Sequence, residues 1–249
     1  SIISKLTKKT DPLGEFDFSK RINFRIFFGF VFIFLFLYLL SVFNIPFVIS
    51  TIIIIAIAAI GLIATHIKME IKLPKASLIK KHLDTLVVLA IVFATLLSTA
   101  TLVTGYYGST IDDAADHTLM TRIILDNPNA LITRSTQPYA NIPLNYPVAT
   151  HALSAFLVTL FAVPIEKIII MLSVILPALI AISFYSTIKC LFENKFLAVM
   201  GLIMAAFFTI GLTWGPIAWG GIPYLLSLYI SITGLGLIYT FMLKKKMTP

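Results

Sequence analysis

Apolar residues fill most of this chain in long runs, separated by short polar stretches. A helix that crosses a bilayer needs about 20 apolar residues. Runs of that size predict spans at 24–43, 46–66, 83–104, 168–188, 196–213 and 222–243. Asn44-Ile45-Pro46 makes the first two a tight hairpin. A further apolar run, 148–163, starts after Pro147 and stops at Pro164. It is short for a crossing, and whether it crosses sets the topology of everything after it.

The distribution of Lys and Arg arbitrates, since these residues collect on the cytoplasmic side. If 148–163 does not cross fully, 16 of the 19 basic residues face the cytoplasm, from Lys5 to the run 244–246. If it crosses, the split falls to 12 against 7. The first arrangement is the expected one. It makes residues 105–167 one long external segment and 214–221 a second external loop, with the N-terminus in the cytoplasm of a cell bounded by its cytoplasmic membrane. Residues 1–82 then form a cytoplasmic segment plus a hairpin, and 83–249 a second transmembrane module.

Composition agrees. The chain has 249 residues, 59% hydrophobic and 12% charged, with mean hydropathy +0.98. Soluble domains carry about 25% charged residues. The expected class is therefore all-α, a polytopic helical transmembrane bundle whose partner is the lipid bilayer. The net charge of +8 does not point to nucleic acid, because the basic residues sit beside apolar runs. The single Cys190 excludes a disulfide framework and reads as a packed thiol. The polar first 20 residues show no cleavable signal peptide. A start at Ser1 and an end just after a span suit a piece of a longer protein, whose C-terminal portion would be a partner of this one.

Against this background residues 108–128, GSTIDDAADHTLMTRIILDNP, stand out. Ser109 to Asp112 reads as a capping box. Ile111, Ala115, Leu119, Ile123 and Ile124 recur at helical spacing, and Asp126-Asn127-Pro128 ends the pattern. The expectation is an amphipathic helix over 111–126, lying along the outer membrane surface. Its first turn carries Asp112, Asp113 and Asp116, three of the chain's 11 acidic residues. Asp112 pairs with Asp116, and Asp113 with His117, at i,i+4 spacing. Acids favour a helix N-terminus in any case. Crowded carboxylates also raise one another's pKa unless a cation intervenes, which suits a metal site or a general base. Residues 129–151 add Arg134, Tyr139, Tyr146 and His151 among three prolines. They read either as a structured loop with interfacial tyrosines or as the lining of a sugar or phosphate pocket. His151 is either an interfacial histidine or a site residue facing the acidic helix.

A core span, then a large external loop that opens on an acidic motif at the start of a membrane-parallel helix and closes on Tyr146-Pro147 and His151 before a short apolar helix, resembles the GT-C class of integral membrane glycosyltransferases. That class includes the oligosaccharyltransferase catalytic subunit, protein O-mannosyltransferases and aminoarabinose transferases. The resemblance covers about 83–243. The sequence departs from the class in the second external loop, TWGPIAWGGIPY, which has no carboxylate, and in the additional hairpin at 24–66.

The resemblance implies transfer of a sugar from a polyprenyl-phosphate donor to an acceptor on the extracytoplasmic face. Asp112, or else Asp113, would be the catalytic base. Asp116, His117, Arg122, Arg134, Tyr139, Tyr146, His151, Trp214 and Trp219 would bind substrate. Arg122 and Arg134 could meet the leaving phosphate or lipid headgroups. Trp214 and Trp219 could stack a sugar, grip a prenyl chain or sit at the water interface. A divalent metal, magnesium or manganese, could be held by Asp112, Asp113 or Asp116, since some members of the class use one and others do not. The competing classes are a transporter or flippase, which normally binds near the membrane midplane, and a membrane scaffold subunit without chemistry.

Overall fold

Apolar runs fold as helices in a bilayer because every backbone N–H and C=O must find its partner inside the segment. The computed structural model describes residues 18–66, 83–106, 112–127, 129–133, 135–136, 139, 147–210 and 221–243. Among them are nine helices and no strand: α1 (Phe18–Val42), α2 (Phe47–His66), α3 (Leu83–Tyr106), α4 (Asp112–Asp126), α5 (Ala130–Thr133), α6 (Val148–Phe161), α7 (Ile165–Phe192), α8 (Lys195–Ile210) and α9 (Ile222–Leu243). The protein is an all-α bundle, as expected.

Among the described residues three helices are long and apolar enough to cross a membrane, Ile22–Val42, Ile165–Phe192 and Ile222–Met242. They make this a membrane protein. Helices α2, α3 and α8 occupy the other expected spans. Their apolar stretches among the described residues are shorter: Phe47–Gly61, Leu86–Thr101 and Lys195–Phe208. The run expected at 148–163 is α6, whose 14 residues reach about 21 Å at 1.5 Å each. That is short of the roughly 30 Å hydrocarbon core.

Helix breaks sit where the sequence placed them. Asn44, between α1 and α2, has φ 54°, a left-handed conformation that asparagine tolerates better than most residues. Ala162 ends α6 at φ 52°, ψ 42°, with no such tolerance. Ala162→Gly is therefore expected to stabilise the fold by about 0.5–1 kcal/mol, read as a rise in melting temperature in detergent. An unchanged or lower value would show that the strain is relieved elsewhere.

Helix α7 is the hub. Two-thirds of its apolar window, 67%, is buried, against 11% for α1, and α1, α3, α4, α6, α8 and α9 all pack on it. Pro177 lies inside it and costs one intrahelical hydrogen bond. The nearby Val174 carbonyl accepts a bond from Thr99 of α3, 3.2 Å away. A buried polar knot ties α1, α7 and α9. The Ser183 hydroxyl lies 3.1 Å from Asn23 Oδ1 and 2.9 Å from Thr233 Oγ1, while the Tyr229 hydroxyl donates to the Asn23 carbonyl at 3.1 Å. Cys190 is free and buried, packed with Phe24 and Leu237, as the sequence suggested.

Candidate functional site

Helix α4 holds 15 residues with no glycine or proline. Beyond Asp126 the Asn127 N–H still bonds the Ile123 carbonyl at 2.9 Å. The Asn127 side chain then accepts the Asn129 N–H at 3.1 Å, a local turn that competes with further helix. The expected end at Asp126-Asn127-Pro128 is met, and Ile111 lies outside the described residues.

The buried face differs from the expected stripe. Ile123 and Ile124 are buried inside the bundle, whereas Ala115 is exposed and Leu119 is 44% exposed. The row turned inward is His117, Thr121 and Ile124. Apolar periodicity missed it because two of its members are polar. They are buried because their polar atoms are satisfied. The Thr121 hydroxyl donates to the His117 carbonyl at 2.8 Å. His117 Nδ1 lies 3.0 Å from His151 Nε2 on α6.

The pair's protonation follows from its partners. His151 Nδ1 lies 3.0 Å from the Pro147 carbonyl. A carbonyl only accepts, so Nδ1 carries the hydrogen and Nε2 of the neutral ring is an acceptor. His117 Nδ1–H is then the donor across the bridge. The two rings are 1% and 0% exposed, with centroids 5.1 Å apart and planes tilted by 44°. Burial, then the neighbouring His117, lowers the His151 pKa to about 4, against the pull of the Pro147 carbonyl. His151 is neutral at pH 7. His151 packs on the acid-bearing helix α4, with both ring nitrogens in hydrogen bonds. The same helices share an apolar cluster that includes Phe47 and Ile54 of α2, Ile123 and Ile124 of α4 and Val148, Ala152 and Phe156 of α6.

The opposite face of α4 borders a groove of about 690 Å³ lined by Ala115, Thr118, Leu119 and Arg122 and, from the start of α7, Ile165, Glu166, Ile169 and Ile170. Its floor is apolar and its rim carries one cation and one carboxylate. Sequence reasoning missed Glu166. Its only signal was an acid in the first turn of a helix, which the helix dipole accounts for without any site. Arg122 does not stand alone either. Its Nε bonds Asp126 Oδ2 at 2.7 Å, and the Tyr139 hydroxyl donates to the same oxygen. Tyr139, then Asp126, raises the Arg122 pKa, which keeps the guanidinium charged. Arg122 and Tyr139 thus meet on one carboxylate, an arrangement the sequence did not disclose.

Asp116 is exposed. The side chains of Asp112 and Asp113, and residues Arg134, Tyr146, Trp214 and Trp219, lie outside the described residues. By helical spacing position 112 continues the groove row 115, 118, 119 and 122, whereas 113 continues the buried row 117, 121 and 124. Among the described residues no three His, Cys, Asp or Glu side chains come together as a metal site.

Compared with protein-family models, with curated proteins and with solved structures, the chain matches none.

Proposed function

We propose that this protein is a membrane glycosyltransferase of the GT-C kind. It moves a sugar from a polyprenyl-phosphate donor to an acceptor on the extracytoplasmic face, with Asp112 as the base. The observation that carries this reading is the groove between α4 and α7. An apolar floor suits a prenyl chain arriving from the bilayer, a polar rim suits its headgroup, and the helix row that borders the groove leads back to an acidic turn.

In the reaction the acceptor O–H bond breaks and its proton passes to the Asp112 carboxylate. The acceptor oxygen forms a bond to the anomeric carbon as the carbon–oxygen bond to phosphate breaks, and the phosphate leaves with the electron pair. The anomeric configuration inverts. Arg122 serves the leaving anion: Asp126 occupies its Nε–H, and a guanidinium has five N–H donors in a planar fork. A divalent cation on the acidic turn, magnesium or manganese, would supply further charge neutralisation through carboxylate oxygens.

The test is transfer of label from radiolabelled polyprenyl-phosphate and polyprenyl-diphosphate sugars in membranes containing the full-length protein. Label is expected in a lipid, glycan or protein fraction above that of membranes lacking the protein. Intact donor and no labelled product across the set would overturn the reading.

A further inference from the structure

The groove between α4 and α7 holds one charged side chain that the transfer chemistry does not use. The base Asp112 and the phosphate-facing Arg122 both belong to α4. The α7 wall of the groove is lined by Ile165, Ile169, Ile170 and Glu166, so among the described residues Glu166 is its one polar side chain. We infer that Glu166 is a specificity-determining residue: it selects a donor sugar that turns hydrogen-bond donors, hydroxyl or amine, toward α7, and rejects a sugar that carries a carboxylate there. This rests on the transferase reading and adds to it the class of sugar.

Glu166 is available to a ligand in a way that the neighbouring carboxylate is not. Asp126 Oδ2 already takes Arg122 Nε at 2.7 Å and the Tyr139 hydroxyl. No hydrogen bond or ion pair among the described residues engages the Glu166 side chain, and Glu166 is exposed. The α7 dipole favours an acid in the first turn. It does not decide which way that acid faces. Of the residues in that turn, Ile165 and Glu166 line the groove and Lys167 and Ile168 do not.

The recognition follows from what each wall can offer. A carboxylate has two acceptor oxygens and no hydrogen to give. Hydroxyl or ammonium hydrogens on the sugar satisfy it, whereas the isoleucines on either side satisfy nothing. A polar sugar edge turned to α7 must therefore meet Glu166 or lose its partners on leaving water. A uronic acid carboxylate at the same place brings like charge and a second set of acceptors, so the contact becomes repulsive. With the phosphate held from α4 and the opposite sugar edge held from α7, the sugar is fixed by two edges. Its anomeric carbon then has one orientation relative to α4.

The test uses the full-length protein in nanodiscs and donors of one polyprenyl length that carry a hexose, a hexosamine or a hexuronic acid. Binding is read by competition against the labelled hexose donor, and transfer by label in product. The parent is expected to bind its better neutral or amino donor at least about tenfold more tightly than the hexuronic acid. Glu166→Gln keeps the length of the side chain and one acceptor oxygen but removes the charge. It is expected to raise KM for that preferred donor by about tenfold to a hundredfold with kcat within about threefold. Its preference over the hexuronic acid is expected to narrow to about threefold or less. Glu166→Ala should raise KM at least as far. Lys167→Gln removes a charge from the same turn without touching the groove lining, and is expected to keep the parent's preference. Melting temperatures check that all three variants fold. A parent that binds the hexuronic acid best overturns the inference. So does Glu166→Gln with the parent's KM and preference, a fall in kcat at unchanged KM, or a Lys167→Gln shift as large as that of Glu166→Gln. In each of these cases donors still bind and the transferase reading stands. If the parent binds none of the donors and transfers none, that reading fails and the inference falls with it.

Discussion

Asp112→Asn is expected to lower sugar transfer by about 10²–10⁴-fold, the usual contribution of a positioned base. Asn keeps the size of the side chain and a hydrogen-bonding oxygen but cannot take the acceptor's proton. Asp113→Asn is expected to cost about tenfold or less, because helical spacing puts position 113 on the His117 row and away from the groove. Both variants lose part of the favourable interaction with the α4 dipole, about 0.3–1 kcal/mol each. Their melting temperatures should therefore fall alike while their turnover does not. Parallel assays of transfer, donor binding and thermal stability separate the cases. If both variants transfer as well as the parent, the acids serve only the helix end. If Asp113→Asn is the inactive one, the base is on the buried row and the assignment of faces is reversed.

Gly236→Leu is expected to be the most destabilising of the substitutions considered. A Cβ at Gly236 would lie 2.6 Å from Thr187 Oγ1 and 3.4 Å from the Thr187 backbone Cα. Thr187 cannot simply turn away. It is β-branched and stiff at χ1, and its hydroxyl donates to the Ile232 carbonyl of α9 at 2.9 Å. Small residues at such crossings let helix backbones approach in a bilayer, where apolar burial gives little drive to associate. Forcing α7 and α9 apart strains Ser183–Thr233 and Thr187–Ile232 together. Overpacking of this kind costs about 3 kcal/mol, or roughly 6–12 °C in melting temperature for a chain of this size. Gly234 is the control, because nothing lies within 4 Å of its added Cβ. Gly234→Ala should gain up to about 1 kcal/mol from helix propensity. If Gly236→Leu melts like the parent, α7 and α9 do not pack as described.

Much of the fold was legible in the chain because its causes are local. Long apolar runs must be helical in lipid, and Asn44-Ile45-Pro46, Pro147, Pro164 and Asn127 interrupt them for reasons of backbone geometry that need no partner. The end of α4 at Asp126 and the shortness of α6 followed from the same signals. Hydropathy could not read which face of α4 is inside. It weighs each residue alone, so the stripe it drew for a helix lying on the membrane left out His117 and Thr121.

The sequence by itself therefore determined the helices, their breaks and the concentration of acids at one helix start. Only the tertiary structure decided that His117 meets His151, that Arg122 and Tyr139 share Asp126, and that Glu166 borders the groove from α7. The physical reason is that a polar side chain is buried only when a partner satisfies it. For His117 that partner lies 34 residues away on another helix, where no local pattern reaches.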